Sequence, residues 1–211
     1  MMMSTLTRSA GALRFPLKVL PVGSRSYSTT SRQAMAAAAA STESPVAKMH
    51  KLYNSQITKE FNASQLYLSA SIWCDQKELT GMASFTRAES CEERDHALEM
   101  VDFALKRDIP VSLEALPAPN ADWTNIEALW ADLLEAEKSN SQALYMLADA
   151  AQACQDHAVT TFLMPFHSEQ VDAVASMKTI LAKVREESQT PGLIRQLDHQ
   201  LGEEAGEKKE K

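Results

Sequence analysis

Glycine and proline are scarce in this chain, at six and eight residues of 211. Both interrupt helices, and long stretches lack either, so the sequence leans towards an all-α fold. No apolar run reaches the roughly 18 residues a membrane-spanning helix needs. The three cysteines, Cys74, Cys91 and Cys154, are odd in number and without metal-type pair spacing. They read as reduced thiols of a reducing compartment rather than as a disulfide framework. Acid is absent from residues 1–42, which hold only the basic Arg8, Arg14, Lys18, Arg25 and Arg32. Basic charge is thin in the remainder, where 16 Lys and Arg face 28 Asp and Glu, a balance of about −12. A body that acidic argues against nucleic-acid binding and suits cations.

What is present supports one globular domain. Apolar residues make up 45% of the chain, and its length allows a proper core. Residues 1–42, rich in Arg and Ser and ending in "AMAAAAAST", have the composition of an organellar transit peptide. Arg25-Ser-Tyr-Ser resembles a mitochondrial processing site, and a plastid address fits the composition nearly as well; a tail without an address is the bland alternative. The sequence argues against a secretory signal, because "PLKVLPV" is short and broken by two prolines and a lysine. The folded domain is expected over 43–204, with a frayed tail over 205–211.

Four long helices and a short fifth follow from the breaks. The first is expected over 44–74, capped by Ser44 with Pro45 in its first turn. The second spans 78–107. The third spans 124–153, with Thr124 and Glu127 as a capping box. The fourth, 156–187, is capped by Asp156, and "TPG" at 190–192 separates it from a fifth over 192–203. Short connections make helices one–two and three–four antiparallel hairpins. The 16 residues of 108–123 contain three prolines and read as loop. Fully extended they reach about 55 Å, while a 28-residue helix is about 42 Å long. The loop can therefore run the whole length of the bundle, giving a four-helix bundle with one long crossover.

Each helix carries an apolar stripe with polar residues at its middle. The stripes read Tyr53, Ile57, Glu60, Ser64, Tyr67 in the first helix and Met82, Phe85, Glu89, Glu93, His96, Met100, Phe103 in the second. In the third they are Trp130, Leu134, Glu137, Ser141, Leu144, Ala148. In the fourth they are Leu163, Phe166, Gln170, Ala173, Met177, Leu181, Val184. Glu60, Glu93, Glu137 and Gln170 each fall near the midpoint of their helix, and antiparallel packing brings midpoints to one level. Taken singly, a Glu on such a stripe is usually solvated and a His is usually a hydrogen-bonded core residue. Their coincidence on four helices points to a shared site. Buried carboxylates repel and are costly to desolvate, and a divalent cation removes both penalties. Carboxylates with one imidazole and no thiolate suit iron, manganese or zinc, and Glu93 and His96, one turn apart, can bind the same ion.

At these residues the chain resembles the ferritin family. "ESCEERDHA" at 89–97 resembles the second-helix signature of catalytic, ferroxidase-type subunits. "EFNASQLYLSAS" at 60–71, "LEAEKSNSQAL" at 134–144 and "FHSEQVDAV" at 166–174 resemble the other three helices. The likeness covers about 46–203 and is strongest to diatom and other algal ferritins, including "LPAPNADW" in the loop. It implies an all-α, ferritin-like bundle with a short fifth helix. It also implies a di-iron site in which Glu60, Glu93 and His96 hold one iron while Glu93 bridges to a second held by Glu137, with Gln170 nearby. Tyr67 would hydrogen-bond into the site and supply an electron. The implied activity is oxidation of Fe(II) to Fe(III) by O2 and storage as a ferric mineral in a homo-oligomeric shell of 24 subunits. No haem is expected, since Arg94 stands where haem-binding relatives carry methionine. A catalytically silent shell subunit, or a permanent di-iron oxidoreductase, would be the alternatives.

Two departures accompany the resemblance. The positions that line the three-fold channel in animal ferritins with acids are Thr160 and Leu163 here. A glutamate found in some relatives three residues after the glutamine is replaced by Ala173. A third, weaker iron site is expected from Glu89, Glu92, Glu169 and Asp172 on the cavity-facing side, the alternative being an ordinary solvated acidic face.

Overall fold

The computed structural model describes residues 43–188, 190 and 192–208. The transit-peptide expectation for 1–42 lies outside them. Five helices follow in order: α1 (Pro45–Gln76), α2 (Thr80–Lys106), α3 (Ile126–Ala153), α4 (His157–Glu187) and α5 (Leu193–Lys208). No strand occurs among the described residues, and no described helix is long and apolar enough to cross a membrane.

Helix starts follow the side chains that can cap them. Ser44 Oγ accepts from the Ala47 N–H at 3.1 Å, and Asp156 Oδ1 from the Val159 N–H at 3.1 Å. In α3 the cap is Asn125, not Thr124, and its Oδ1 accepts from the Ala128 N–H at 2.8 Å. This one-residue shift removes Glu127 from the position a capping box needs. Glu127 instead pairs with Arg185 at 2.7 Å, joining the start of α3 to the end of α4. Helix α2 starts at Thr80, two residues later than expected, and its cap residue Leu79 offers no side-chain acceptor. Asp198 of α5 serves instead, accepting from the Met82 N–H at 2.8 Å.

Three helices end on a left-handed residue that is not glycine: Glu78 (φ 59°), Asp108 (φ 53°) and Gln155 (φ 57°). In each case the next N–H returns to a carbonyl one turn back. Leu79 bonds Cys74, Ile109 bonds Ala104 and Asp156 bonds Ala151, the Schellman arrangement. Leu79 and Ile109 are buried, supplying the apolar contact that accompanies it.

Helix α1 packs on α2 and α3, α3 on α4, and α5 mainly on α2. The crossover is tied to α1 at two places. Asn54 donates to the Pro110 carbonyl and accepts from the Ser112 N–H, both at 2.7 Å, and Ser69 Oγ donates to the Asn120 carbonyl at 2.6 Å. Asn54 and Ser69 stand about 22 Å apart along a helix, so the crossover runs beside α1 as the loop length predicts.

The core has two apolar halves. One contains Tyr53, Ile57, Met100, Leu144, Leu147 and Leu163. The other contains Trp73, Met82, Phe85, Trp130, Leu181 and Leu201. The buried polar residues of α1–α4 nearest the helix midpoints, among them Glu60, Glu93, Glu137, Asn140 and Gln170, separate them. In α3 the inward face is rotated from the expected stripe: Asn140 and Leu147 are buried, whereas Ser141 and Ala148 are only half-buried. Helix α5 continues five residues past its expected end, through residues assigned to a frayed tail, because Ala205 packs into the core. Its backbone lies against Gly81, where an added Cβ would sit 1.7 Å from the Asp198 carbonyl oxygen.

Candidate metal centre

Glu60 on α1 and the one-turn pair Glu93 and His96 on α2 each bring one ligand atom within 4.8 Å of the others. Glu60 is 1% exposed and both its oxygens are engaged. Oε1 accepts from Gln56 Nε2 at 2.6 Å and Oε2 from Asn140 Nδ2 at 2.9 Å. Glu93 is 6% exposed, and its Oε2 has no hydrogen-bond partner. His96 Nδ1 lies 3.6 Å from that oxygen, beyond hydrogen-bonding range, and its Nε2 is 3.2 Å from Glu169. Burial, then the Glu93 charge, holds the Glu60 carboxyl well above the ordinary carboxylate range. Burial likewise raises Glu93, with the charges of Glu137 and Glu89 adding to it. Desolvated, mutually repelling carboxylates with one orphaned oxygen form an environment that a cation would relieve.

The second half is bonded differently. Glu137 Oε1 accepts from the Tyr67 O–H and Oε2 from Gln170 Nε2. Gln170 Nε2 also reaches the Glu137 carbonyl at 3.1 Å, and Asn140 Nδ2 lies 3.4 Å from Gln170 Oε1. Burial raises Glu137, and burial together with Glu137 holds the Tyr67 phenol far above its usual value. Asn140 thus touches both halves. Neither Asn140 nor Gln56 was among the residues singled out from the sequence. Each was legible as a polar residue one helical turn from a candidate glutamate.

A cavity of about 590 Å³ opens between α2 and α4 onto Glu60, Glu93, His96 and Gln170; Glu137 is not among its lining residues. Glu89, Glu92, Glu169 and Asp172 all line it, with Asp95 and Glu204 in addition. These acids share one cavity, but the tight ligand-atom group among the described residues is Glu60, Glu93 and His96. Ala173 presents no charge to the same wall. Leu163 is buried in the core and the Thr160 hydroxyl bonds the Asp156 carbonyl at 3.0 Å, so neither offers a charge for guiding cations.

A helical bundle with carboxylates, an imidazole and carboxamides between two apolar half-cores is the architecture of the carboxylate-type metal-binding bundles. The ferritin-like domain model matches residues 50–186, and the chain belongs to the ferritin family. Ferritin BfrB of Mycolicibacterium smegmatis is 32% identical over 134 residues, 64% of this chain and 74% of that protein. The bacterial non-heme ferritin-like protein of Escherichia coli K12 is 32% identical over 132 residues, covering 63% and 79%. The apo-ferritin crystal structure from the diatom Pseudo-nitzschia multiseries is 52% identical, with a TM-score of 0.69 over 71% of this chain and 96% of that one. A PmFTN variant crystal soaked in iron for 45 min is 51% identical, with a TM-score of 0.70 and coverage of 72% and 96%.

Proposed function

We propose that this protein is a catalytic ferritin subunit that oxidises Fe(II) with O2 inside its bundle and passes the product on for storage in a 24-subunit homo-oligomeric shell. The observation that carries the reading is the buried Glu60, Glu93 and His96 group, with an unpartnered Glu93 oxygen, opening onto an acid-lined cavity. Iron is the substrate. Acids lining the cavity raise the local concentration of Fe(II). Glu60, Glu93 and His96 hold the first ion, with Gln56 and Asn140 fixing the Glu60 carboxylate by hydrogen bonds. Glu93 bridges towards a second ion at Glu137, beside Gln170. Each Fe(II) gives up one electron to O2, and Tyr67, hydrogen-bonded to Glu137, is placed to donate a further one. Residues 89, 92, 169 and 172 serve as a weaker third station.

The second ion meets one carboxylate whose two oxygens already have donors, and a neutral amide. It binds more weakly than the first, which suits a product that must leave and disfavours a permanent di-iron enzyme. Anaerobic Fe(II) titration followed by O2 addition tests this. Repeated turnover with mineral formation is the expected result. Two irons oxidised per subunit and no more would identify a permanent di-iron enzyme, and no oxidation a silent shell subunit. Sedimentation of the mature protein checks the 24-subunit assembly. Residues 1–42 are proposed to direct the chain to a mitochondrion or plastid, and cytosolic retention of a fluorescent fusion bearing only them would refute that address.

A further inference from the structure

We propose that Asn140 is a positioning residue that fixes the polarity of the Gln170 amide, so that the second iron meets an N–H in place of an oxygen ligand and is held weakly enough to leave. The inference rests on the ferroxidase reading and names what keeps its second position weak. Three carboxamides from three helices run in one direction across the polar layer. Gln56 Nε2 of α1 donates to Asn140 Oδ1 of α3, Asn140 Nδ2 lies 3.4 Å from Gln170 Oε1 of α4, and Gln170 Nε2 donates to Glu137 Oε2. Glu60 sets the direction at one end. Its Oε1 accepts from Gln56 Nε2 at 2.6 Å and its Oε2 from Asn140 Nδ2 at 2.9 Å. Glu137 sets it at the other end, where its backbone carbonyl also accepts from Gln170 Nε2, at 3.1 Å.

Ionised carboxylates and carbonyls only accept, so no amide in the run can turn over alone. Turning Asn140 would set its oxygen against Glu60 Oε2 and its NH2 against that of Gln56. Turning Gln170 would set its oxygen against two oxygens of Glu137 and its NH2 against Asn140 Nδ2. A separate observation shows how firmly the direction is imposed. Gln56 is 1% exposed, yet its Oε1 is a buried acceptor without a partner. Its NH2 is committed to Glu60 and Asn140 even though its own oxygen goes unsatisfied, which is costly in an interior. An amide binds a cation through its oxygen, so an ion at Glu137 gains a ligand from Gln170 only if that amide turns. At 3.4 Å the Asn140–Gln170 bond is the longest of the run. Its effect comes less from its own strength than from the two donors that a turn would oppose.

The test uses crystals of the intact mature protein soaked without O2 in Mn(II), a redox-silent probe, with anomalous difference maps for wild type, Asn140→Leu and Gln56→Leu. Both variants withdraw one donor from Glu60, but only Asn140→Leu frees Gln170. Wild type should show a strong peak at Glu60, Glu93 and His96 and a weak or empty position at Glu137, with Gln170 Nε2 still directed at Glu137. In Asn140→Leu the peak at Glu137 should rise several-fold relative to the first, with the Gln170 oxygen turned onto it. In Gln56→Leu it should not rise. Calorimetric Mn(II) titration should show the second binding step tightened several-fold in Asn140→Leu alone. A Gln170 oxygen already bound to Mn(II) in wild type would overturn the proposal, as would equal occupancy at Glu137 in the two variants. No Mn(II) at either position in wild type would overturn the ferroxidase reading and this role with it.

Discussion

The two halves of the polar layer contain similar residue types but meet the interior differently. On the α1–α2 side, Glu60 and Glu93 are buried against each other and one Glu93 oxygen has no donor. On the α3–α4 side, both Glu137 oxygens are occupied by Tyr67 and Gln170. In the first half Glu60 has its donors but Glu93 keeps one buried oxygen without any; in the second both Glu137 oxygens have donors, and Asn140 links the two halves. A buried carboxylate with its donors supplied is far less in need of a cation than one without. The contrast gives a physical basis for the two unequal iron positions proposed above, and it can be broken or sharpened by mutation.

The largest effect is expected from Glu93→Ala, which removes the ligand proposed to bridge the two irons. Loss of a mere hydrogen-bond partner of a metal ligand costs about 10–100-fold in affinity or activity, so rapid oxidation in stopped flow should fall by at least about 100-fold while the shell still assembles. Asn140→Ala comes next. It withdraws a donor from Glu60 and a contact from Gln170, and a slowing of about 10–100-fold would show that the halves are coupled. An unchanged rate would mean that they act separately.

Thermal melting without metal sharpens the contrast further. The folded protein holds Glu60 and Glu93 above the ordinary carboxylate value of 4.5, mainly through burial. Their favourable contribution to stability is complete below that value and is lost as pH rises through the raised folded values. The metal-free melting temperature should therefore fall between about pH 5 and pH 8, and Glu60→Gln should flatten the decline. A metal-free protein that gains stability over this range would contradict the account of the first half.

Gly81→Ala is the control that touches neither half. The added methyl would meet the Asp198 carbonyl at 1.7 Å, forcing α5 and the start of α2 apart. Overpacking typically costs about 1–3 kcal/mol, so calorimetry should show a lower melting temperature while the first oxidation remains fast. The smallest effect is expected at Asp108, whose φ of 53° suits glycine. Asp108→Gly should leave activity unchanged and stability within about 1 kcal/mol.

Much of this was legible in the sequence because helical periodicity and helix length are local properties. The positions of Glu60, Glu93, Glu137 and Gln170 near their helix midpoints were enough to expect one level. The 16-residue loop was enough to expect a crossover, since chain reach depends only on residue number. Less legible were the features that depend on a rotation of about one residue, or on a partner distant in the chain. The α3 stripe was read through Ser141 and Ala148, yet a helix turns about 100° per residue. Packing rather than pattern selected Asn140 and Leu147. The ends at Glu78, Asp108 and Gln155 carried no glycine to mark them; their backbone bonds and buried neighbours hold the left-handed turn.

Composition and spacing alone thus determined a helical bundle, its hairpin pairs, its crossover and the level at which its acids lie, because each follows from the geometry of a single helix or loop. Only the tertiary structure decided which of those acids lack donors. It also decided that Asn140 and Gln56 join them, and that α5 supplies the missing cap to α2 through Asp198. Those outcomes depend on which side chains from different helices arrive at the same point, where an unpaired polar group is costly and a well-placed donor removes the cost.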